Sequence, residues 1–302
     1  MIFQLGRAYA AAKAYDKARE LYEQADALGH GLATNNLGAL YADGWGVARD
    51  LAKARSYYLK AAQAGVPLAM YNFGSMAERG QGGAQDYAEA RHWYEKAAAA
   101  GFPRGAYGLG VLYQHGRGVQ KDLNQARRWY ESAAEHGYDW GMLDMGFLYE
   151  RGEGVAVDYA RAREWYEKAA AAGNGLAMSN IGVLYARGWG VPQDYTMARR
   201  WYERSAAAGN AAGMHNLGLI YHYGRAVPVD YAAARSWYEK TLAADPNFTL
   251  AMLTLGSLYE EGHGAPRDVA EARRWYEKAL AAGNQDAAKR LERLQKVSET
   301  KK

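Results

Sequence analysis

The sequence predicts an all-α solenoid of about eight helix-turn-helix repeats, because two short phrases recur along it with a period of 36 residues. A Leu-Gly pair or a close variant recurs at Leu37-Gly38, Phe73-Gly74, Leu109-Gly110, Met145-Gly146, Ile181-Gly182 and Leu217-Gly218, and at Leu255-Gly256 after 38 residues. A Trp-Tyr pair recurs in phase with it at Trp93-Tyr94, Trp129-Tyr130, Trp165-Tyr166, Trp201-Tyr202, Trp237-Tyr238 and Trp275-Tyr276. Repeats of 20 to 50 residues bury their apolar faces by stacking on their neighbours. We therefore look for function on a surface rather than in a pocket.

The first helix of the repeat is predicted over residues 32–42. Ala33, Leu37 and Tyr41 recur there at the spacing of one helical face, which predicts the buried side. Gly38 lies on the same face, and we expect it to allow close approach of the second helix at Ala54.

The second helix is predicted over residues 51–64, after a loop that begins at Gly44. Gly44 suits a helix end with positive φ, and Asp50 is placed to cap the next helix. The same aspartate returns as Asp86, Asp122, Asp158, Asp194, Asp230 and Asp268. Each is single in its repeat, so capping is favoured over a metal-binding ladder. Ala84 and Ala226 interrupt the second loop glycine, which suggests that its positive φ is dispensable.

These phrases together resemble the Sel-one-like repeat family, the longer-looped relatives of tetratricopeptide repeats. The resemblance covers residues 1–284 and implies a right-handed α/α superhelix whose first helices line a concave, partner-binding groove, with no chemistry of its own. We predict a single domain over residues 1–302. Its repeats are 1–30, 31–66, 67–102, 103–138, 139–174, 175–210, 211–248 and 249–284, followed by a capping helix at 285–297.

Composition argues against several classes of function. The net charge is only +4 and is spread along the chain, which argues against a nucleic-acid partner. Cysteine is absent, so the sequence offers neither disulfides nor thiolate metal sites. No apolar run predicts membrane insertion. The Leu5-Gly6 pair stands only four residues from the start, so we expect that the sequence opens inside its first repeat, either because it was trimmed or because a leader or further repeats have been removed. Both the bacterial cytoplasm and the periplasm stay open.

The candidate partner-binding residues follow from the exposed stripe of the first helices, read by its resemblance to tetratricopeptide arrays. They are Tyr71, Arg79, Arg104, Tyr107, His115, Trp140, Phe147, Arg151, Arg187, His215, His222 and Tyr223. Trp, Tyr and Arg contribute most to protein interfaces, and Trp140 breaks the repeat pattern at a position that does not require a large side chain.

Two further tryptophans, Trp45 and Trp189, occupy the loop position between the two glycines. They are either exposed binding residues or packed over a neighbouring loop. The other six tryptophans are predicted to be core residues. His215 and His222 stand two helical turns apart, too far for one metal ion, and no local catalytic motif is present, so we predict no metal, cofactor or enzyme activity.

The preferred function is a non-enzymatic scaffold or adaptor that binds a partner protein. A more specific alternative is a bacterial immunity protein that occludes a secreted toxin, for example a phospholipase effector. A cell-envelope-active enzyme ranks below both.

Overall fold

The structure is a computed structural model of the chain, and it describes residues 1–299. Over this range the backbone forms seventeen α-helices and no strand. The chain divides into two compact units, one of Met1–Leu148 with Glu153–Val155, and one of Tyr149–Gly152 with the chain from Ala156 onward. Each unit is described by itself. The prediction of one domain stays a prediction.

The first unit holds four and a half repeats, in which each helix packs against the next one along the chain. Its helices are α1 (Ile2–Ala11), α2 (Tyr15–Ala27), α3 (Gly31–Asp43), α4 (Leu51–Gln63), α5 (Pro67–Arg79), α6 (Tyr87–Ala99), α7 (Pro103–His115), α8 (Leu123–Glu135) and most of α9 (Asp139–Arg151).

The second unit holds the end of α9 and repeats the same arrangement. Its helices are α10 (Tyr159–Ala171), α11 (Gly175–Arg187), α12 (Tyr195–Ala207), α13 (Ala211–Tyr223), α14 (Tyr231–Ala244), α15 (Thr249–Glu261), α16 (Val269–Ala281) and α17 (Asp286–Glu299). The predicted all-α repeat array and its terminal helix are confirmed.

The core of each repeat is the tyrosine of the Trp-Tyr pair, which lies against the glycine of the first helix. A Cβ atom added to Gly38 would lie 2.8 Å from the Tyr58 ring, and one added to Gly74 would lie 2.9 Å from the Tyr94 ring. The recurrent glycine therefore makes room for this tyrosine. It also allows the expected close approach at the alanine, since a Cβ atom on Gly74 would lie 3.3 Å from the backbone oxygen of Ala90, the equivalent of Ala54.

Five of the six repeat tryptophans are less buried than the sequence pattern predicted, whereas Trp93 is buried as predicted. Tyr130, Tyr166 and Tyr276 are fully buried, whereas Trp129, Trp165 and Trp275 are only half-buried. A cation covers several of the tryptophan rings, as Lys168 does at 3.9 Å from Trp165. The burial of adjacent residues differs because the tyrosine points at the first helix of its own repeat.

The repeated aspartates cap the second helices, as predicted. The side chain of Asp122 accepts hydrogen bonds from the backbone N–H groups of Asn124 at 2.9 Å and Gln125 at 3.0 Å. Asp50, Asp86, Asp158, Asp194, Asp230 and Asp268 do the same at their own helices.

Replacing Asp122 by Ala is expected to lower the free energy of unfolding by about 0.5–2 kcal/mol, because two backbone donors lose their acceptor. Asp122→Asn, which keeps a capping oxygen, should stay close to the wild type. Urea unfolding with and without a chelator provides the measurement. A chelator-induced loss of several kcal/mol in the wild type would mean that the aspartates bind metal instead.

The second loop glycine does require positive φ, contrary to the expectation from Ala84 and Ala226. Ala226 itself adopts φ +61°, and in the third repeat the position belongs to Gly82 at φ +70°. The left-handed conformation is thus kept where glycine is lost, at a strain of about 1 kcal/mol.

Candidate interaction surfaces

In the first unit, two of the candidate tyrosines are partly enclosed by other aromatic rings. Tyr71 on α5 lies between Tyr94 at 5.7 Å and Phe102 at 6.0 Å, measured between ring centroids. Tyr107 occupies the same place one repeat later, between Tyr130 at 5.5 Å and Tyr138 at 5.2 Å. Both are half-buried, so each offers one edge to the surface.

A cleft of about 510 Å³ opens between α5 and α7 at these two tyrosines. Its lining includes Glu78, Arg79 and Arg117. Glu78 is fully engaged, since it accepts from the Tyr94 hydroxyl at 2.7 Å and pairs with Arg117 at 3.0 Å. Arg79 is exposed and makes no hydrogen bond or ion pair within residues 1–299. The cleft therefore carries one uncompensated positive charge.

Glu78 belongs to a recurring arrangement that we call the tyrosine clasp. In a clasp, a side chain near the end of a first helix accepts from the core tyrosine of its repeat and contacts a residue further along the chain. Gln114 accepts from Tyr130 at 2.6 Å and donates to Glu153 at 3.1 Å. Glu260 accepts from Tyr276 at 2.8 Å and pairs with Arg293 at 2.7 Å.

Trp140 is exposed over 44% of its surface. Asp144 follows it by four residues on α9, so the two share a helical face. Burial raises the pKa of Tyr107, and the Asp144 carboxylate that accepts from the tyrosine hydroxyl raises it further. Because Asp144 contacts Tyr107 of α7, Trp140 lies on the face of α9 that points toward α7 and its candidate residues.

The remaining candidates of the first unit differ in exposure. Arg104 and His115 are exposed, and the Arg104 guanidinium lies 5.9 Å from the Tyr138 ring. Phe147 is half-buried. Arg151, at the end of α9, belongs to the second unit and is exposed.

In the second unit, two arginines lie among exposed aromatic rings. The Arg225 guanidinium lies 5.0 Å from the Tyr195 ring and 5.1 Å from that of Tyr223. Arg187 lies 5.9 Å from the Trp189 ring. Tyr223 is 57% exposed. In the described part of the chain, neither arginine forms an ion pair with a carboxylate.

His215 differs from the expectation of an exposed position. It is only 6% exposed and lies between Tyr238 at 5.4 Å and Phe248 at 5.2 Å, the place that Tyr71 and Tyr107 occupy in their own repeats. Burial lowers the pKa of His215 to about 4. His215 therefore belongs to the core. His222 is half-buried, and burial lowers its pKa as well.

The loop tryptophans both stack on a tyrosine that begins the second helix of the preceding repeat. Trp45 lies 5.3 Å from Tyr15, and Trp189 lies 5.2 Å from Tyr159, with nearly parallel rings. Their other faces stay open, with 46% and 36% of the residue surface exposed. The two interpretations of these residues are thus combined, because each packs over a neighbour and also remains exposed.

Sequence reasoning missed Arg225, Tyr202 and Asp144. Arg225 follows a loop glycine. The residue at this position differs from repeat to repeat, and this variability could have indicated a binding residue. Among residues 1–299, no three His, Asp or Glu side chains are grouped to hold a metal ion. None of the described helices has the length and apolarity needed to cross a membrane.

A family model, the Sel1 repeat, matches eight times, at residues 2–30, 31–66, 67–102, 103–138, 141–174, 175–210, 211–245 and 249–284. The chain belongs to the Sel1 repeat family. Sel1 repeat proteins act as protein-interaction scaffolds and are generally not enzymes. None of the curated proteins matches the chain in sequence.

Two solved structures of Sel1 repeat proteins are similar to the chain at 34% identity. One is c5321, a protective antigen of uropathogenic Escherichia coli, with a TM-score of 0.72 over 96% of this chain and 63% of that protein. The other, from Oxalobacter formigenes, has a TM-score of 0.75 over 80% of this chain and 100% of that protein. The chain thus spans less than two thirds of the E. coli protein.

A third structure is the immunity protein Pa5087 from Pseudomonas aeruginosa. It is 21% identical over 72% of this chain and 83% of that protein, with a TM-score of 0.50. At this identity the likeness concerns the fold alone.

Proposed function

We propose that the protein is a non-enzymatic scaffold that binds a partner protein on the faces of its first helices. The observation that carries this proposal is the cleft on the first helices that Tyr71, Tyr107 and Arg79 line together. On the second helices, some arginines pair with a glutamate one turn later, as Arg91 does with Glu95 and Arg235 with Glu239, both at 3.6 Å. On the first helices, Arg79 and Arg187 have no carboxylate partner in the described chain.

The unpaired arginines lie beside aromatic side chains that keep an open edge or face. Tyr71 and Tyr107 line the cleft with Arg79, and Trp189 lies beside Arg187. This composition is typical of binding hot spots, where a planar guanidinium and aromatic rings bury large areas with few rotatable bonds. Second helices also carry arginines without a carboxylate partner in the described chain, such as Arg204 at 4.1 Å from the Trp201 ring, so the proposal rests on the cleft and not on unpaired arginines alone.

Replacing Trp140 by Ala is expected to weaken partner binding at least about thirtyfold, because truncating a hot-spot aromatic typically costs 2 kcal/mol or more. The unfolding midpoint should hardly change, since the side chain is largely exposed. The affinity is measured by calorimetric titration with a partner protein that copurifies with the chain and binds it again after purification.

Trp129→Ala is the matched control, because this half-buried tryptophan lies on a second helix of the same unit. We expect it to reduce stability while leaving affinity unchanged. Normal binding by Trp140→Ala would remove the α9 face from the interface and leave the loop tryptophans as the next candidates.

A second candidate function is that of an immunity protein which occludes a secreted toxin such as a phospholipase effector. Its support is the likeness in fold to Pa5087. The test is coexpression with a toxin encoded beside the gene, where rescue of growth supports this role and continued toxicity contradicts it.

A further inference from the structure

One repeat of the second unit keeps two parts of a tyrosine clasp and lacks the third. In the Glu78 clasp, Tyr94 follows the acid by 16 residues and Arg117 follows it by 39. Counting the same steps from Ala186 gives Tyr202 (186 + 16) and Arg225 (186 + 39). The phenol and the guanidinium are thus both present, and alanine stands in place of the carboxylate.

Ala186 packs against the core cluster that contains Tyr202, and two guanidiniums lie among aromatic rings in the same repeat and the next. Arg225 lies over Tyr195 and Tyr223, and Arg187 adds a second guanidinium. Burial raises the pKa of Tyr202, and the nearby positive charges of Arg187 and Arg225 act in the opposite direction.

The Tyr202 hydroxyl makes no hydrogen bond to any residue within 1–299. The Tyr238 hydroxyl also lacks a hydrogen-bond partner, but it is fully buried, whereas the Tyr202 hydroxyl is not. A donor hydroxyl and two arginines without a carboxylate partner therefore lie near one another where four other repeats hold an acceptor of their own, namely Glu78, Gln114, Glu150 and Glu260.

We propose that this site receives an acidic side chain of the bound partner, whose carboxylate takes the place that Glu78 has in its own clasp. The carboxylate would accept from the Tyr202 hydroxyl and pair with Arg225, as Glu78 accepts from Tyr94 and pairs with Arg117. Charge-assisted bonds of this kind are stronger than neutral ones. That the carboxylate belongs to a protein rests on the proposed function, whereas the chemistry of the site does not.

The test uses small probes and nuclear magnetic resonance of the arginine Nε–H and tyrosine ring signals at constant ionic strength. The probe with a side-chain carboxylate is N-acetyl-glutamate α-amide, and N-acetyl-glutaminamide is its uncharged match. N-acetyl-glutamine, with a free α-carboxylate, reports whether a chain end binds instead. We expect saturable shifts with the first probe and at least about tenfold weaker binding of the uncharged probe.

Ala186→Glu supplies the missing carboxylate from within the chain. It should abolish probe binding and raise the unfolding midpoint, and Arg225→Gln should weaken probe binding at least about tenfold without occupying the site. Ala42→Glu is the matched control, because position 42 precedes the core tyrosine Tyr58 by the same step but is followed by Gln81 instead of an arginine. It should leave probe binding unchanged.

Equal binding of the charged and uncharged probes, or unaltered binding by Ala186→Glu, would overturn the proposal. So would saturable binding of the chain-end probe alone. Failure of the subsite is distinguishable from failure of the scaffold function. A protein partner that binds wild type and Ala186→Glu equally would refute the subsite only, whereas probe binding without any protein partner would refute the scaffold only.

Discussion

Replacing Tyr130 by Ala is expected to lower the free energy of unfolding by about 3–5 kcal/mol, the range for removing a fully buried aromatic side chain. Tyr130 has no exposed surface, and its ring fills the space above Gly110. Its hydroxyl also donates to Gln114 at 2.6 Å. The mutation therefore leaves a cavity and removes a clasp. Because each repeat is stabilised by its neighbours, the loss should extend beyond the fourth repeat.

The matched control is Tyr130→Phe, which keeps the ring and removes only the hydroxyl. It should cost about 0.5–1.5 kcal/mol, the usual net value of one hydrogen bond. Urea unfolding followed by far-ultraviolet circular dichroism measures both variants. If Tyr130→Ala costs no more than Tyr130→Phe, the ring does not support the core and the packing described for the repeat is wrong.

The arrangement of helices could be predicted because the determinants are local and recur in every repeat. The period of 36 residues predicts the number of units, and Asp50 with its equivalents predicts where each second helix begins. The resemblance to the repeat family added the expectation of a protein-binding surface. Family membership is now shown, while the binding residues remain a proposal.

The details that could not be predicted depend on contacts between residues far apart in sequence. Periodicity does not distinguish which member of an adjacent Trp-Tyr pair points at the first helix, so both members were assigned to the core. Similarly, helical spacing put His215 on the exposed stripe, but Phe248, at the end of the same repeat, covers it. The site at Ala186 could not be predicted, because it is defined by the absence of an acidic side chain. That absence can be recognised only after the structure has shown the clasps of the other repeats.

The buried His215 is expected to make the stability of the second unit depend on pH. Its pKa is about 6.5 in an unfolded chain and about 4 when folded, and burial is the cause. The unfolded state therefore binds the proton more readily. The stabilising contribution is fully present above pH 6.5 and is lost as the pH falls through 4. The loss is about 3 kcal/mol between pH 7 and 4.

His215→Tyr isolates this contribution, because tyrosine already occupies the equivalent positions at Tyr71 and Tyr107. Urea unfolding at intervals from pH 7 to 4 should show a shallower decline for the variant than for the wild type. Equal slopes would show that His215 is protonated in the folded protein and is not buried in the way described. His222, whose pKa is also lowered, would contribute to the decline in both proteins.

The central claim, that partners bind the first helices, is tested most directly by site-specific photo-cross-linking. A photoreactive amino acid is placed at Arg79 or Tyr223 on first helices, and at Glu95 or Glu239 on the second helices of the same repeats. All four residues are exposed, so accessibility does not distinguish them. We predict adducts with the partner from positions 79 and 223 and none from positions 95 and 239. The opposite pattern, with adducts from the second helices alone, would contradict the proposed interaction surface.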